Sequence, residues 1–151
     1  MAAPLLRFFF DTSVYIAALL SAQGAARELL RLVEAGAVQM VVSEQVIAEA
    51  DRVLGAKFPE LLQESRKLWK NLRPEIASLP SVREREPFLQ KLARGDAFIL
   101  AAAHRSSVAA FITWNTRDFM APGIASLVDF PILVPADGLK LFRKWIDPFL
   151  D

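Results

Sequence analysis

The chain has 151 residues, the length of one domain that can bury a full core, and its hydrophobic fraction of 54% excludes a disordered chain. Its 18 basic and 17 acidic residues leave a net charge of +1, so any contact with nucleic acid has to come from local clustering. With no cysteine and one histidine, disulfides and thiolate sites are excluded and a zinc cage is disfavoured, so a bound metal would be a hard cation held by oxygen.

Residues 8–10, all phenylalanine, are strong strand formers and too apolar to alternate, which predicts a strand buried on both faces. The run stops at Asp11, and Thr12 and Ser13 open a helix whose Ile16, Leu19 and Leu20 recur at helical spacing. In an open parallel sheet, ligands bind outside the carboxyl ends of the strands, where Asp11 would sit. Asp11 thus has two readings at this point: a site carboxylate, or a cap for the helix that follows. Ala26, Leu29, Leu30 and Val33 form the stripe of a second helix, which Gly36 is placed to end. Residues 37–42 read as a second buried strand.

Ser43 begins a third helix, with Val42, Val46, Ala50 and Val53 on one face. Glu49 projects from that same apolar face, so it needs a partner unless it lies at the helix edge. Residues 55–59, from Gly55 to Pro59, break the pattern, and 60–72 predict a fourth helix with Leu61, Leu68 and Leu72 inward. Arg66, Lys67, Lys70 and Arg73 gather along another side of it, as a phosphate-contacting stripe or a solvated face. Residues 73–86 show no sustained period and predict irregular structure around a short strand near 76–79. Asp96 heads the Ile99, Leu100, Ala103 stripe of a nearly all-buried helix over 97–106, either as a core-facing acid or as its N-cap. His104, in the last turn, reads as a packed or capping histidine. Residues 108–113 predict another strand, followed by Trp114-Asn115-Thr116-Arg117-Asp118-Phe119; a short edge strand at 131–135 and a last helix over 137–146, with Leu139, Phe142 and Ile146 inward, complete the chain. Strands alternating with helices predict one α/β domain over 1–151, with a mainly parallel sheet between two helical layers.

Asp11, Glu49, Asp96 and the Asn115–Asp118 pair could all converge at one end of those strands. Close carboxylates repel, so convergence creates demand for a divalent cation, and Mg²⁺ or Mn²⁺ accepts carboxylate oxygens while keeping waters for substrate. Such a site suits in-line attack of a metal-activated water on a phosphodiester.

Four segments in this order resemble the PIN-domain ribonuclease family, whose members include the toxin halves of bacterial and archaeal toxin–antitoxin pairs. They are Phe10-Asp11-Thr12-Ser13-Val14-Tyr15, Val42-Ser43-Glu44-Gln45-Val46-Ile47-Ala48-Glu49, Gly95-Asp96-Ala97-Phe98-Ile99-Leu100-Ala101-Ala102-Ala103 and Phe111-Ile112-Thr113-Trp114-Asn115-Thr116-Arg117-Asp118-Phe119. The resemblance implies a Mg²⁺- or Mn²⁺-dependent ribonuclease with a PIN-like three-layer α/β/α fold. It makes Asp11, Glu49 and Asp96 metal-binding carboxylates, with Asp118 and then Asn115 as further candidates and Thr12, Ser13 and Thr113 in support. Many relatives carry an acid where this chain has Asn115, and some carry an acid three residues later, as at Asp118; the departure leaves one metal or two open. The resemblance further implies a small antitoxin protein covering the site and a homodimer, for which Trp69, Trp145 and Phe149 would supply interface area if they are not core. The alternative is a degenerate PIN-like module that binds RNA or protein without cutting. An aspartyl-phosphate phosphatase would need an acid where Ser13 stands, and a receiver domain paired acids where Phe9 and Phe10 stand. The apolar runs are too short to span a bilayer and no cleavable leader is evident, so a cytoplasmic location is expected.

Overall fold

The computed structural model describes residues 5–150. Leu6–Phe10 forms β1, with Phe8, Phe9 and Phe10 wholly buried. A strand covered on both faces has no solvent side on which polar residues could alternate, which is why this run is continuous. The same holds for Met40 to Val42 of β2 (Val38–Val42) and for all of β4 (Ala110–Ile112). The edges are short: β3 is Glu75–Ile76 and β5 is Ile132–Leu133. All pairings are parallel, in the order β3-β2-β1-β4-β5, and Phe8 of the central strand lies opposite Met40 on one side and Ala110 on the other.

Between β1 and β2 run α1 (Thr12–Leu20) and α2 (Ala25–Glu34), and between β2 and β3 run α3 (Glu44–Lys57) and α4 (Leu62–Leu72). α1 packs on α2 and α3, α2 packs on α4, and α2 also meets α8 (Pro135–Ile146). The chain then crosses back past β2 and β1 to reach β4. A right-handed crossover in that reversed direction puts α5 (Val82–Leu89) and α6 (Arg94–Ser106) on the opposite face, where α6 rests on β2. The amphipathic α2 buries Ala26, Leu29, Leu30 and Val33, and Gly36 takes the left-handed conformation just beyond its end (φ 81°). At Gly138, α8 comes so close to the sheet that a Cβ would stand 3.0 Å from the tip of Ile112.

Three local expectations are corrected. α3 does not break at Gly55 but continues through Lys57, because buried Val46, Ala50 and Leu54 outweigh the roughly 1 kcal/mol propensity cost of one glycine. The stretch 73–86 is not irregular throughout: α5 starts there on a capping box. The Ser81 hydroxyl accepts from the Glu84 N–H at 3.1 Å, and the Glu84 carboxylate accepts from the Ser81 N–H at 2.9 Å. Only Phe88 of α5 is buried, so no apolar period announced it. Finally, α6 starts at Arg94 with Ala93 as N-cap, which places Asp96 inside the first turn and not at the cap. Shifts elsewhere are small: β3 precedes the expected 76–79, β4 is shorter than 108–113, and α8 starts earlier on Pro135, whose missing N–H costs nothing at a helix's first position.

Candidate active site

The direction of strand order reverses between β1 and β4, and at such a switch point the loops leave their carboxyl ends toward opposite sides and open a crevice. Asp11 leaves β1 there, its N–H bonded to the Ile112 carbonyl at the end of β4 (2.9 Å). Asp11 occupies the N-cap position of α1, but its side chain does not cap the helix. Oδ2 instead accepts from the Ser13 hydroxyl and from the hydroxyl of the wholly buried Thr113, each at 2.8 Å. The Ser13 oxygen in turn accepts the Trp114 N–H (3.0 Å), and the Thr113 oxygen accepts the Asn115 N–H (2.9 Å). With a backbone N–H on each oxygen, the single proton of each hydroxyl is aimed at Asp11. Burial raises the Asp11 pKa above its ordinary value, and the two hydroxyl donors pull it back part of the way.

Glu49, half-buried on α3, accepts a long hydrogen bond from the Thr12 hydroxyl (3.3 Å). Asp96, half-buried on α6, has its carboxyl pushed up to about 6, first by burial and then by the charges of Asp11, Asp118 and Glu49. Four acids from four parts of the chain therefore share one electrostatic neighbourhood. The Gln45 side-chain amide donates to the Gly95 carbonyl (3.0 Å) and ties the start of α3 to the turn that carries Asp96. Asn115 caps the short helix α7 (Thr116–Phe119): its side-chain oxygen accepts from the Asp118 N–H (3.4 Å) and its amide donates to the Asp118 carboxylate (3.1 Å). Asp118 is thus exposed but oriented.

A groove of about 440 Å³ is lined by the polar Asp11, Thr12, Ser13, Glu49, Asp96 and Asn115, and Asp118 is not part of its lining. The rest of the lining is apolar: Ile16, Ala17 and Leu20 of α1, Val53 of α3, and Trp114. Among the described residues no three acidic or histidine side chains, as they lie, stand close enough to hold an ion between them. The donor set nevertheless suits a hard cation, since every ligating atom on offer is oxygen, and both causes that raise Asp96, burial first and the neighbouring acids after it, are ones a cation would offset.

Arg66, Lys67, Lys70 and Arg73 are exposed on or just after α4 and do not line this groove. His104 is exposed, its ring tilted against Phe88. Trp69 stacks on the buried Tyr15 at 4.0 Å between ring centroids, and the Tyr15 hydroxyl bonds to Ser65, which assigns Trp69 to the packing of α1 against α4. Sequence reasoning passed over Gln45 and Trp114. A large aromatic placed directly after a buried strand was the available signal for Trp114; an exposed-side glutamine offers none.

A family model described as the PIN domain matches residues 7–117. The chain belongs to the PIN-domain family. The matched segment contains Asp11, Glu49, Asp96, Thr113 and Asn115 and ends one residue before Asp118. Two solved structures share the fold of this PIN domain. VapBC2 from Rickettsia felis, bound to a DNA fragment from its promoter, superposes with a TM-score of 0.61 at 13% identity over 85% of this chain and 98% of the other. DNA-bound VapBC from Salmonella typhimurium gives 0.62 at 17% identity over 87% and 99%. No curated protein matches the sequence. Among the described residues no helix is long and apolar enough to cross a membrane.

Proposed function

We propose that this PIN domain is an endoribonuclease that hydrolyses RNA phosphodiester bonds with Mg²⁺ or Mn²⁺, and that it is the toxin of a toxin–antitoxin pair. The observation that carries the reading is the groove at the switch point of a PIN fold, which Asp11, Glu49 and Asp96 line together, with the Asp96 carboxyl pushed up by burial and by the other acids. Uncompensated acids gathered in a crevice destabilise a protein, so their convergence favours a use that needs them charged together. Asp11, Glu49 and Asp96 would hold the cation, with Asp118 and then Asn115 as outer candidates. Such an ion lowers the pKa of a bound water and neutralises charge on the phosphate. Ser13 and Thr113 fix one oxygen of Asp11, and Thr12 steadies Glu49. A small antitoxin protein and a second copy of the chain are the proposed partners, supported by the likeness to the VapBC complexes.

The test is cleavage of labelled RNA and of DNA of equal length in Mg²⁺ and Mn²⁺, with chelator as control. Asp11→Asn and Asp96→Asn should each lose on the order of a hundredfold or more, because one ligand positions both ion and water. Parent-like cutting by either variant in metal-titrated assays would sink the nuclease reading and leave a binding module.

A further inference from the structure

Trp114 is 46% exposed and has no aromatic partner among the described residues, although tryptophan is highly buried on average. Its backbone is not free to move away from the acids. The Ser13 oxygen that accepts its N–H (3.0 Å) is the one whose hydrogen goes to Asp11 (2.8 Å), so a single hydroxyl separates the tryptophan from the central carboxylate. Trp114 lines the same groove as Asp11, Glu49 and Asp96, together with Ile16, Leu20 and Val53. The groove therefore offers both acids and apolar surface. A phosphate backbone laid along the acids without a cation is repelled, whereas an uncharged, flat base suits the apolar part of the lining.

We propose that the Trp114 indole stacks an unpaired base flanking the scissile phosphate, so that the protein cuts only where that nucleotide is free of a duplex. The inference rests on the nuclease reading: with the phosphodiester at the acids, a base flanking it enters the groove that Trp114 also lines. Every base has a π-face, and stacking on an aromatic side chain accounts for roughly 1–3 kcal/mol per base in single-strand binders, more for larger faces. In a duplex that face is covered by the neighbouring base pairs, which turns the stack into a requirement for unpaired, unstacked substrate.

The experiment maps one cut in a single-stranded RNA, then compares that RNA, its duplex and a version abasic beside the cut, using parent, Trp114→Ala and Trp114→Phe in Mn²⁺. Trp114→Ala should lower kcat/KM by about fivefold to somewhat more than a hundredfold, the range that stacking on one base spans. Trp114→Phe should restore most of it, and the duplex should resist the parent. The abasic RNA should cost the parent a similar factor and cost Trp114→Ala almost nothing further, since the lost contact is the same one. An equal abasic penalty in parent and Trp114→Ala overturns the proposal, as does parent-like cutting by Trp114→Ala, which would leave the indole as a contact for protein. Binding of the same RNAs in Ca²⁺, read by anisotropy in an Asp11→Asn background with and without Trp114→Ala, separates this failure from failure of the nuclease reading. If Asp11→Asn cuts like the parent, the nuclease reading falls. Stacking still stands or falls on whether Trp114→Ala weakens binding to the intact RNA and not to the abasic one.

Discussion

The Asp96 carboxyl ties the candidate site to a measurable pH dependence. Its pKa lies at about 6 in the folded chain against an ordinary 3.8, so between those values the folded state holds more protons than the unfolded one. The contribution of Asp96 to the stability of the metal-free protein should therefore be fully present below about pH 4 and be lost as pH rises through about 6, the reverse of an acid held by a salt bridge. Asp11, also raised, acts in the same direction. Urea unfolding with chelator should show this fall, and Asp96→Asn should flatten it and be the more stable protein near neutrality. Adding Mn²⁺ at a hundred times its dissociation constant should then stabilise the parent by about 2.7 kcal/mol and the variant far less. The parent's gain should grow as pH rises through about 6, because a ligating carboxylate must be ionised. Equal gains in both proteins would refute a shared site, and the same pH slope in parent and Asp96→Asn would refute the crowding of charge around Asp96.

Helices in this chain are placed by burial and by caps in different proportions. α3 runs through Gly55 because Val46, Ala50 and Leu54 anchor it, and nothing lies within 4 Å of where a Cβ at Gly55 would be. Gly55→Ala should therefore stabilise the protein by roughly 0.5–1 kcal/mol, through helix propensity and a less flexible unfolded chain. A lower midpoint in thermal or urea unfolding would show that the end of α3 needs the glycine for some other reason. α5 lies at the other extreme, defined by the Ser81–Glu84 box and one buried phenylalanine. Its charged side chains still serve the fold, since Glu84 also pairs with Arg105 of α6 at 2.7 Å.

Across the whole molecule the doubly wound order makes the crevice, and the helical layers leave apolar surface at their margins. On α8, Leu139, Phe142 and Trp145 are half-buried against the core, and Phe149 beyond it is 36% exposed with its ring tilted on Trp145. On the opposite layer Leu79 and Val82 are more than 70% exposed. Surfaces of this kind are what association covers. Light scattering at high micromolar concentration should accordingly return the mass of two chains, and Phe149→Glu should shift it toward one if the α8 margin is the contact. A parent that stays monomeric there removes the dimer.

Local pattern by itself determined the alternation of strands and helices, because burial on two faces and on one face leave different periods along a chain. Residues 8–10 and the Ala26 to Val33 stripe were legible for that reason, as was the order of the four family segments. The α5 helix was not, since its signal is a cap and not a period. Which acids line one groove was decided only by the tertiary structure. Asp11 and Thr113 are 102 residues apart and bond because β1 lies beside β4, an adjacency that no local spacing encodes. The same adjacency adds the Thr113 hydroxyl to the local one of Ser13 on Asp11, which settles Asp11 against the capping reading, and brings Trp114 to the groove that the acids line. Side-chain direction at the end of a strand depends on what the neighbouring strand brings, and that neighbour is chosen by the packing of the whole sheet.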